Sequence, residues 1–376
     1  MKSYNDDEIT TMVQPKSIDK KEHLLFRVSI FIFVYILLNY IILSYVYSII
    51  GVDRNELFTF LLVFLSFSYI FGAATIRYSN KLISRVINVF GSLWLGMSVL
   101  GVFTIILTEF LVFINLLGFD KKPVFALIIF LALSFYAVVN AMFIYVRKFV
   151  IKFSKIKKPL RLVQVSDLHV GAAHTRNYLL NVVNKIVGQN PDVVVITGDL
   201  IDGKHDYEED YFDILSKINV PVLMCTGNHD RMTGMKTVYK LLKKSGVKIL
   251  SDKKLKVKGV SFFGVDDTEK PRVFVKKVRE LNPRVDEFNV LLFHRPKKFK
   301  KVSKLNVDLM LSGHTHGGQI FPLNLLQRFY YVKVRGLFKN KGSFLYVSPG
   351  TGWWGPPMRL GSKNEITVFD LVPDEK

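Results

Sequence analysis

The chain has 376 residues, with 52 Lys and Arg against 31 Asp and Glu, a formal charge of +21 and 49% hydrophobic residues. It is longer than one average domain and its apolar residues are unevenly spread, so its two parts are read separately. The lone Cys225 excludes an intrachain disulfide and fits a reducing compartment, while the basic excess admits nucleic acid only weakly, because much of it sits beside an apolar region.

Residues 1–27 read as a cytoplasmic tail; they carry acids and lack the cleavage site of a secretory leader, so the apolar stretch that follows is expected to be retained. Four uncharged stretches, Val28 to Val52, Leu57 to Ile76, Val86 to Thr108 and Pro123 to Val146, meet the roughly 20 residues a helix needs to cross hydrocarbon. They lack the polar face of a buried soluble helix, so residues 28–146 are predicted to be a four-helix transmembrane domain. Asn39 and Asn140 are candidates for hydrogen bonds between helices, and Glu109 is expected at the water interface. Five Lys and Arg precede the first span, three lie between spans two and three, and seven follow span four as far as Arg161. The alternate loops hold only Arg54, Lys121 and Lys122. Cytoplasmic loops retain positive charge, which predicts a multi-pass protein of the plasma or inner membrane with both termini, and the domain after the spans, in the cytoplasm.

Residues 147–158 read as a basic juxtamembrane linker whose interleaved Phe149 and Phe153 suit an interfacial helix on anionic lipid. From residue 159 to 376 the pattern becomes that of an α/β domain. Strands are predicted at Leu160 to Val165, Val193 to Thr197, Val220 to Cys225, Val290 to Phe293, Val307 to Leu311, Leu345 to Ser348 and Ile366 to Leu371. Helices are predicted at Arg176 to Val187, Tyr207 to Ile218, Met235 to Lys244 and Arg272 to Leu281. The acidic run Asp206 to Asp213 reads as the solvated face of a helix rather than an ion cluster.

Five of the eight histidines fall in short blocks: Asp167-Leu168-His169, Gly198-Asp199, Gly227-Asn228-His229-Asp230, His294 and Gly313-His314-Thr315-His316. Each of the first four follows a predicted strand, and the carboxyl ends of strands in α/β sheets converge on one rim. Imidazole, carboxylate and amide oxygen suit two divalent ions (manganese, iron or zinc) better than a structural thiolate cage. Two such ions about 3.5 to 4 Å apart can clamp a phosphoryl group and acidify a water, which points to phosphate-ester hydrolysis.

Present together and in order, these blocks resemble the calcineurin-like metallophosphoesterase family over about residues 159–376. The resemblance implies a two-sheet β-sandwich flanked by helices. It also implies a ligand set: Asp167, His169 and His316 on one ion, Asn228, His294 and His314 on the other, Asp199 bridging, and His229 not a ligand but a catalytic residue that stabilises the transition state or protonates the leaving oxygen. Asp230 is a candidate to orient His229, or a helix cap. Gly317-Gly318-Gln319, Arg335-Gly336-Leu337-Phe338 and Val347-Ser348-Pro349-Gly350 look like the membrane-associated bacterial branch of the YkuE or YaeI type. Arg335 and Arg359 are candidate substrate-binding residues or salt-bridge arginines.

Between Gln319 and Phe338 lies an apolar insert, Ile320 to Leu326 with Phe329, Tyr330 and Tyr331, readable as packing over the sheet or as a lipid-facing lip beside the metals; Trp353 and Trp354 suit the same interface. The favoured reading is a membrane-bound hydrolase of a phosphodiester or pyrophosphate bond in a lipid or lipid-linked substrate. A hydrolase of soluble diesters and a catalytically silent sensor are the alternatives.

Overall fold

The computed structural model describes residues 20–78, 82–171, 173–203, 207 and 210–374. Most of the expected N-terminal tail and part of the acidic run (206, 208 and 209) lie outside these residues. Helices α1 (Lys20–Ile50), α2 (Glu56–Tyr78), α3 (Leu82–Phe113) and α4 (Lys122–Met142) are each long and apolar enough to cross a membrane. The first therefore starts inside what was expected as tail.

The chain divides into two compact units, Met1–Ser66 and Phe67–Lys376. In the first, Arg54 lies over the rings of Tyr40 and Phe58 and donates to the Tyr40 hydroxyl at 2.7 Å, so its charge is held by aromatic faces. Asn39 donates to the Tyr35 carbonyl one turn back in α1. In the second unit α2 and α3 meet at glycines: a Cβ on Gly72 would stand 2.8 Å from Asn88 Cα, and one on Gly91 would strike the Ser68 carbonyl. Glu109 pairs with Lys122 at 2.5 Å, neutralising the charge across the α3–α4 turn.

The expected linker is a strand. One residue after α4, the chain enters β1 (Ile144–Phe153), which also takes the last residues of the expected fourth span. The reason lies in the period: Ile151 and Phe153 point into the domain core and Lys152 points out, the two-residue alternation of a strand and not the 3.6 of an interfacial helix.

The domain then runs β2 (Leu160–Val165), α5 (Arg176–Val187), β3 (Val193–Thr197), β4 (Val222–Cys225), α6 (Asn228–Thr233), α7 (Met235–Leu241), β5 (Val247–Ile249), β6 (Lys253–Val257), β7 (Val260–Gly264) and α8 (Pro271–Glu280). After these come β8 (Asn289–Leu292), α9 (Phe299–Val302), β9 (Leu309–Ser312), α10 (Leu323–Tyr330), β10 (Gly336–Asn340), β11 (Ser343–Val347) and β12 (Asn364–Pro373). Among the described residues, the helix expected from Tyr207 to Ile218 takes the form of a 3-10 stretch, Asp213–Lys217.

Two six-stranded mixed sheets form, in the orders β1-β12-β2-β3-β4-β5 and β10-β11-β9-β8-β7-β6. Alternation along β3 shows why both faces are covered. Val193 and Val195 belong to the same buried core as Phe262, Val290 and Leu309 of the other sheet, whereas Val194 and Ile196 belong to the core that holds Leu179 and Val183 of α5. Phe274 of α8 stacks on Phe293 at 3.8 Å on the far side, completing helix, sheet, sheet and helix layers. The central strands run parallel within each sheet, so their carboxyl ends share an edge.

Candidate metal centre

The five blocks meet where those carboxyl ends stop. Asp167 and His169 follow β2, Asp199 follows β3, Asn228 opens α6 after β4, His294 follows β8, and His314 and His316 follow β9. Asp167, His169, Asp199, His314 and His316 all have left-handed backbones, with φ between 46 and 73°. Such conformations cost about 1–3 kcal/mol each outside glycine. They are held by cross-links between the strand ends: Asp167 N donates to Gly198 O, His169 N to Asp199 O, and His314 N to both Asp167 carboxylate oxygens at 3.0 and 3.1 Å.

Close approach needs the glycines. A Cβ on Gly227 would collide with the Asp199 carboxylate, and one on Gly313 with Asp167 Oδ2 and Ser166 Oγ. Gly198 also turns with φ +84°, and a Cβ there would lie 2.6 Å from His294 Nδ1.

Asp167, His169 and His316 form one group whose ligand atoms lie within 4.8 Å of one another, and Asp199, His294 and His314 form another. His169 Nε2 and His316 Nε2 are 3.1 Å apart; His314 Nδ1 and His294 Nε2 are 3.2 Å apart. Asp199 Oδ2 stands between the groups, 3.1 Å from His294 Nε2 and 3.9 Å from His169 Nε2. His294 Nδ1–H donates to the Thr197 carbonyl at 2.8 Å, which fixes the ring and turns Nε2 inward.

Burial pushes the His169 and His316 imidazoles well below the ordinary histidine pKa, and burial followed by His294 and Arg295 takes His314 down to about 2. His169, His314 and His316 are thus held neutral, whereas for His294 burial is outweighed by the charge and hydrogen bond of Asp199, which raise it to about 10. Burial raises Asp167 to about 6 despite the opposing charge of His294. For Asp199 burial is outweighed by His294 and His169, which hold its carboxyl below the usual range. Asn228 Oδ1 and His169 Nδ1 are buried without a hydrogen-bond partner. Converging imidazoles, carboxylates and an orphaned amide oxygen fit divalent cations.

His229 and Asp230 part company. Asp230 does not orient His229: its two oxygens accept the backbone N–H groups of Asp199 (2.9 Å), Ile201 (3.0 Å) and Gly227 (2.9 Å), clamping the β3 and β4 ends together. Burial and the neighbouring Asp199 raise its pKa to about 7. The carboxylate on His229 is Asp202, with Oδ1 at 2.7 Å from Nδ1. Burial alone would lower the His229 pKa; the Asp202 bond and the charges of Asp199 and Asp202 reverse the shift upward. Asp202, three residues after Asp199 and just before Gly203, occupies a turn position that carries no sequence signal of its own. Trp354, expected at an apolar interface, brings its ring to 5.5 Å from that of His229.

The two candidate arginines also differ. Arg359 is fully buried and donates to the carbonyls of His316 and Gly352, to Ser362 Oγ and to Asn364 Oδ1, so it has no donor to offer a substrate. Its own N–H meets the Ala137 carbonyl of α4. Arg335 is exposed, lies against Gly317 and donates to the Gly361 carbonyl.

The rim of the centre is fastened to α3 and α4. Asn140 donates to the Arg359 (2.8 Å) and Ser362 (3.0 Å) carbonyls, where a bond between helices was expected, and Asn364 donates to the Ala141 carbonyl at 2.6 Å. Ile320 and Met358 pack with Leu100 and Ala137, and the Phe321 ring meets Phe103 edge-on at 5.0 Å.

Residues 160–318 match the family model described as calcineurin-like phosphoesterase. Cj0846 of Campylobacter jejuni, described as an uncharacterized metallophosphoesterase, is 34% identical over 232 residues, 59% of this chain and 61% of that protein. A Danio rerio transmembrane protein with metallophosphoesterase domain is 33% identical over 277 residues, covering 68% of this chain and 63% of the other. YkuE of Bacillus subtilis, another uncharacterized metallophosphoesterase, is 30% identical over 230 residues, 56% of this chain and 78% of its own. The chain spans about three fifths of the length of the first curated relatives it matches, 61% of each. Four apolar helices and a transmembrane relative suggest a membrane protein, and with its five blocks gathered on one rim the chain belongs to the calcineurin-like metallophosphoesterase family.

Proposed function

We propose that the protein is a membrane-embedded, metal-dependent hydrolase of a phosphodiester or pyrophosphate bond in a lipid or lipid-linked substrate. Asp167, His169 and His316 hold one divalent ion, Asn228, His294 and His314 a second, and Asp199 serves both; manganese, iron and zinc all suit these donors. Bound ions of this kind supply positive charge at the phosphoryl oxygens and acidify water. His229, steadied through Nδ1 by Asp202, delivers a proton from Nε2 to the leaving oxygen. Arg335, exposed beside the His316 turn, contacts substrate phosphate. The domain lies on the cytoplasmic side of the plasma or inner membrane, as the flanking Lys and Arg predict. Degradation of residues 160–376 by protease added outside intact cells would refute that orientation.

The observation that supports a lipid substrate is the fastening of the rim to α3 and α4 through Asn140, Arg359 and Asn364, which leaves no free tether over which the site could range into water. The test incubates the detergent-purified protein and its Asp199→Asn variant with host membrane lipids and soluble phosphodiesters plus manganese, read by mass spectrometry. Loss of a lipid species with the wild type alone is expected. Loss of soluble diesters alone would overturn the lipid assignment, and loss of neither would overturn the hydrolase assignment.

A further inference from the structure

A helix at a protein–water boundary turns its apolar face inward and its polar face out. The α10 helix does the reverse. Its inward positions are polar: Gln327 donates to the Thr315 carbonyl at 2.7 Å, between the two histidines of the last block, and Asn324 lies against Gly318 and Gly361. No residue of α10 is buried, and its exposed positions are apolar apart from Arg328: Leu323, Leu325, Leu326, Phe329 and Tyr330, with Phe329 86% and Tyr330 84% exposed. Val332, just beyond, is 95% exposed.

We propose that α10 lies in the bilayer that carries α3 and α4, its Leu326–Phe329 face in the acyl region just below the lipid phosphates, so that the mouth of the metal centre opens at headgroup level. Three observations favour lipid as the occupant. The chain enters α10 from Phe321, whose ring packs on Phe103 of the apolar α3, so the outward face continues a surface already given to hydrocarbon. Arg328, Lys333 and Arg335 follow within and after the helix, where cations on an otherwise apolar lip can reach lipid phosphates. An immersed helix also needs its polar groups turned to protein, and Asn324 and Gln327 are so turned. The immersion holds whether the substrate is lipid or soluble, so the two readings fail separately.

The single native thiol, Cys225, is fully buried, so an introduced cysteine can be labelled selectively. The full chain carrying Phe329→Cys, or Leu326→Cys should the first fail to fold, is spin-labelled and reconstituted in nanodiscs of phosphatidylcholine and phosphatidylglycerol. Power saturation then compares relaxation by oxygen, which concentrates in hydrocarbon, with that by a water-soluble nickel chelate. Oxygen should dominate at position 329 and nickel at a control label on the exposed Lys341 turn. Nickel dominance at 329 would overturn the proposal. So would spin–spin broadening that disappears on dilution with unlabelled protein, since it would show that a second copy covers this face.

Discussion

Replacing Asp202 by Asn should separate the acid from the metal chemistry. The carboxylate holds His229 Nδ1 at 2.7 Å, and a hydrogen bond to a charged group is worth about 1.5–3 kcal/mol. With the Asp202 side chain 35% exposed, solvent screening brings this to roughly 1–2 kcal/mol, or about a 5- to 30-fold loss of kcat. The loss should appear with an alkyl phosphodiester, whose leaving oxygen needs a proton. It should be nearly absent with a nitrophenyl ester, whose leaving group departs as an anion. Purified variant and wild type are compared for kcat on both substrates and for bound metal by mass spectrometry, with metal content expected to be equal. Equal losses on both substrates, or full activity on the alkyl ester, would refute the assignment of Asp202 as the positioning residue of His229.

Asp199→Asn and His314→Ala should each lose bound metal and turnover together, whereas His229→Ala should keep its metal and lose turnover on the alkyl ester, as elemental analysis beside rate measurement can check. Asp230→Ala strands three buried backbone N–H groups, at about 1–3 kcal/mol each, and should lower the thermal midpoint far more than Asp202→Asn does. Arg359→Met removes the donors that satisfy the His316 and Gly352 carbonyls, and should cost several kcal/mol on the same scale without a preferential rise in KM for phosphate esters; a pure KM effect would restore it as a substrate contact. Gly227→Ala, whose methyl would meet the Asp199 carboxylate, should reduce metal affinity while leaving the fold intact by circular dichroism.

The strands that carry ligands were legible because they are short, β-branched and end on glycine-bounded polar blocks; β2, β3 and α5 fall on their predicted residues. The β6–β7 hairpin was missed, since Lys253, Lys254 and Lys256 hide its alternation and its turn uses Lys258 and Gly259, both at positive φ, in place of a familiar Asn-Gly. The sequence leaves Asp230 open between orienting His229 and capping its helix, because adjacency is no guide at the start of a helix, where the side chain turns back to the preceding backbone as Asp230 does to Gly227. Arg359 could not be identified from sequence because its partners, carbonyls of α4 and of the strand-end loops, are set only by tertiary contact.

The passage of α4 into β1 fixes where the protein can be cut. A soluble fragment begun at Leu160 would lose the outer strand of one sheet and leave all ten residues of β12, Asn364–Pro373, as an open edge. It would also remove Ile151 and Phe153 from between the sheets. Long apolar edges invite pairing with other chains, a hazard the native edge limits with the exposed charges of Arg147, Lys148 and Lys152. The smallest piece that keeps both sheets whole therefore starts at Ile144, two residues past the end of α4.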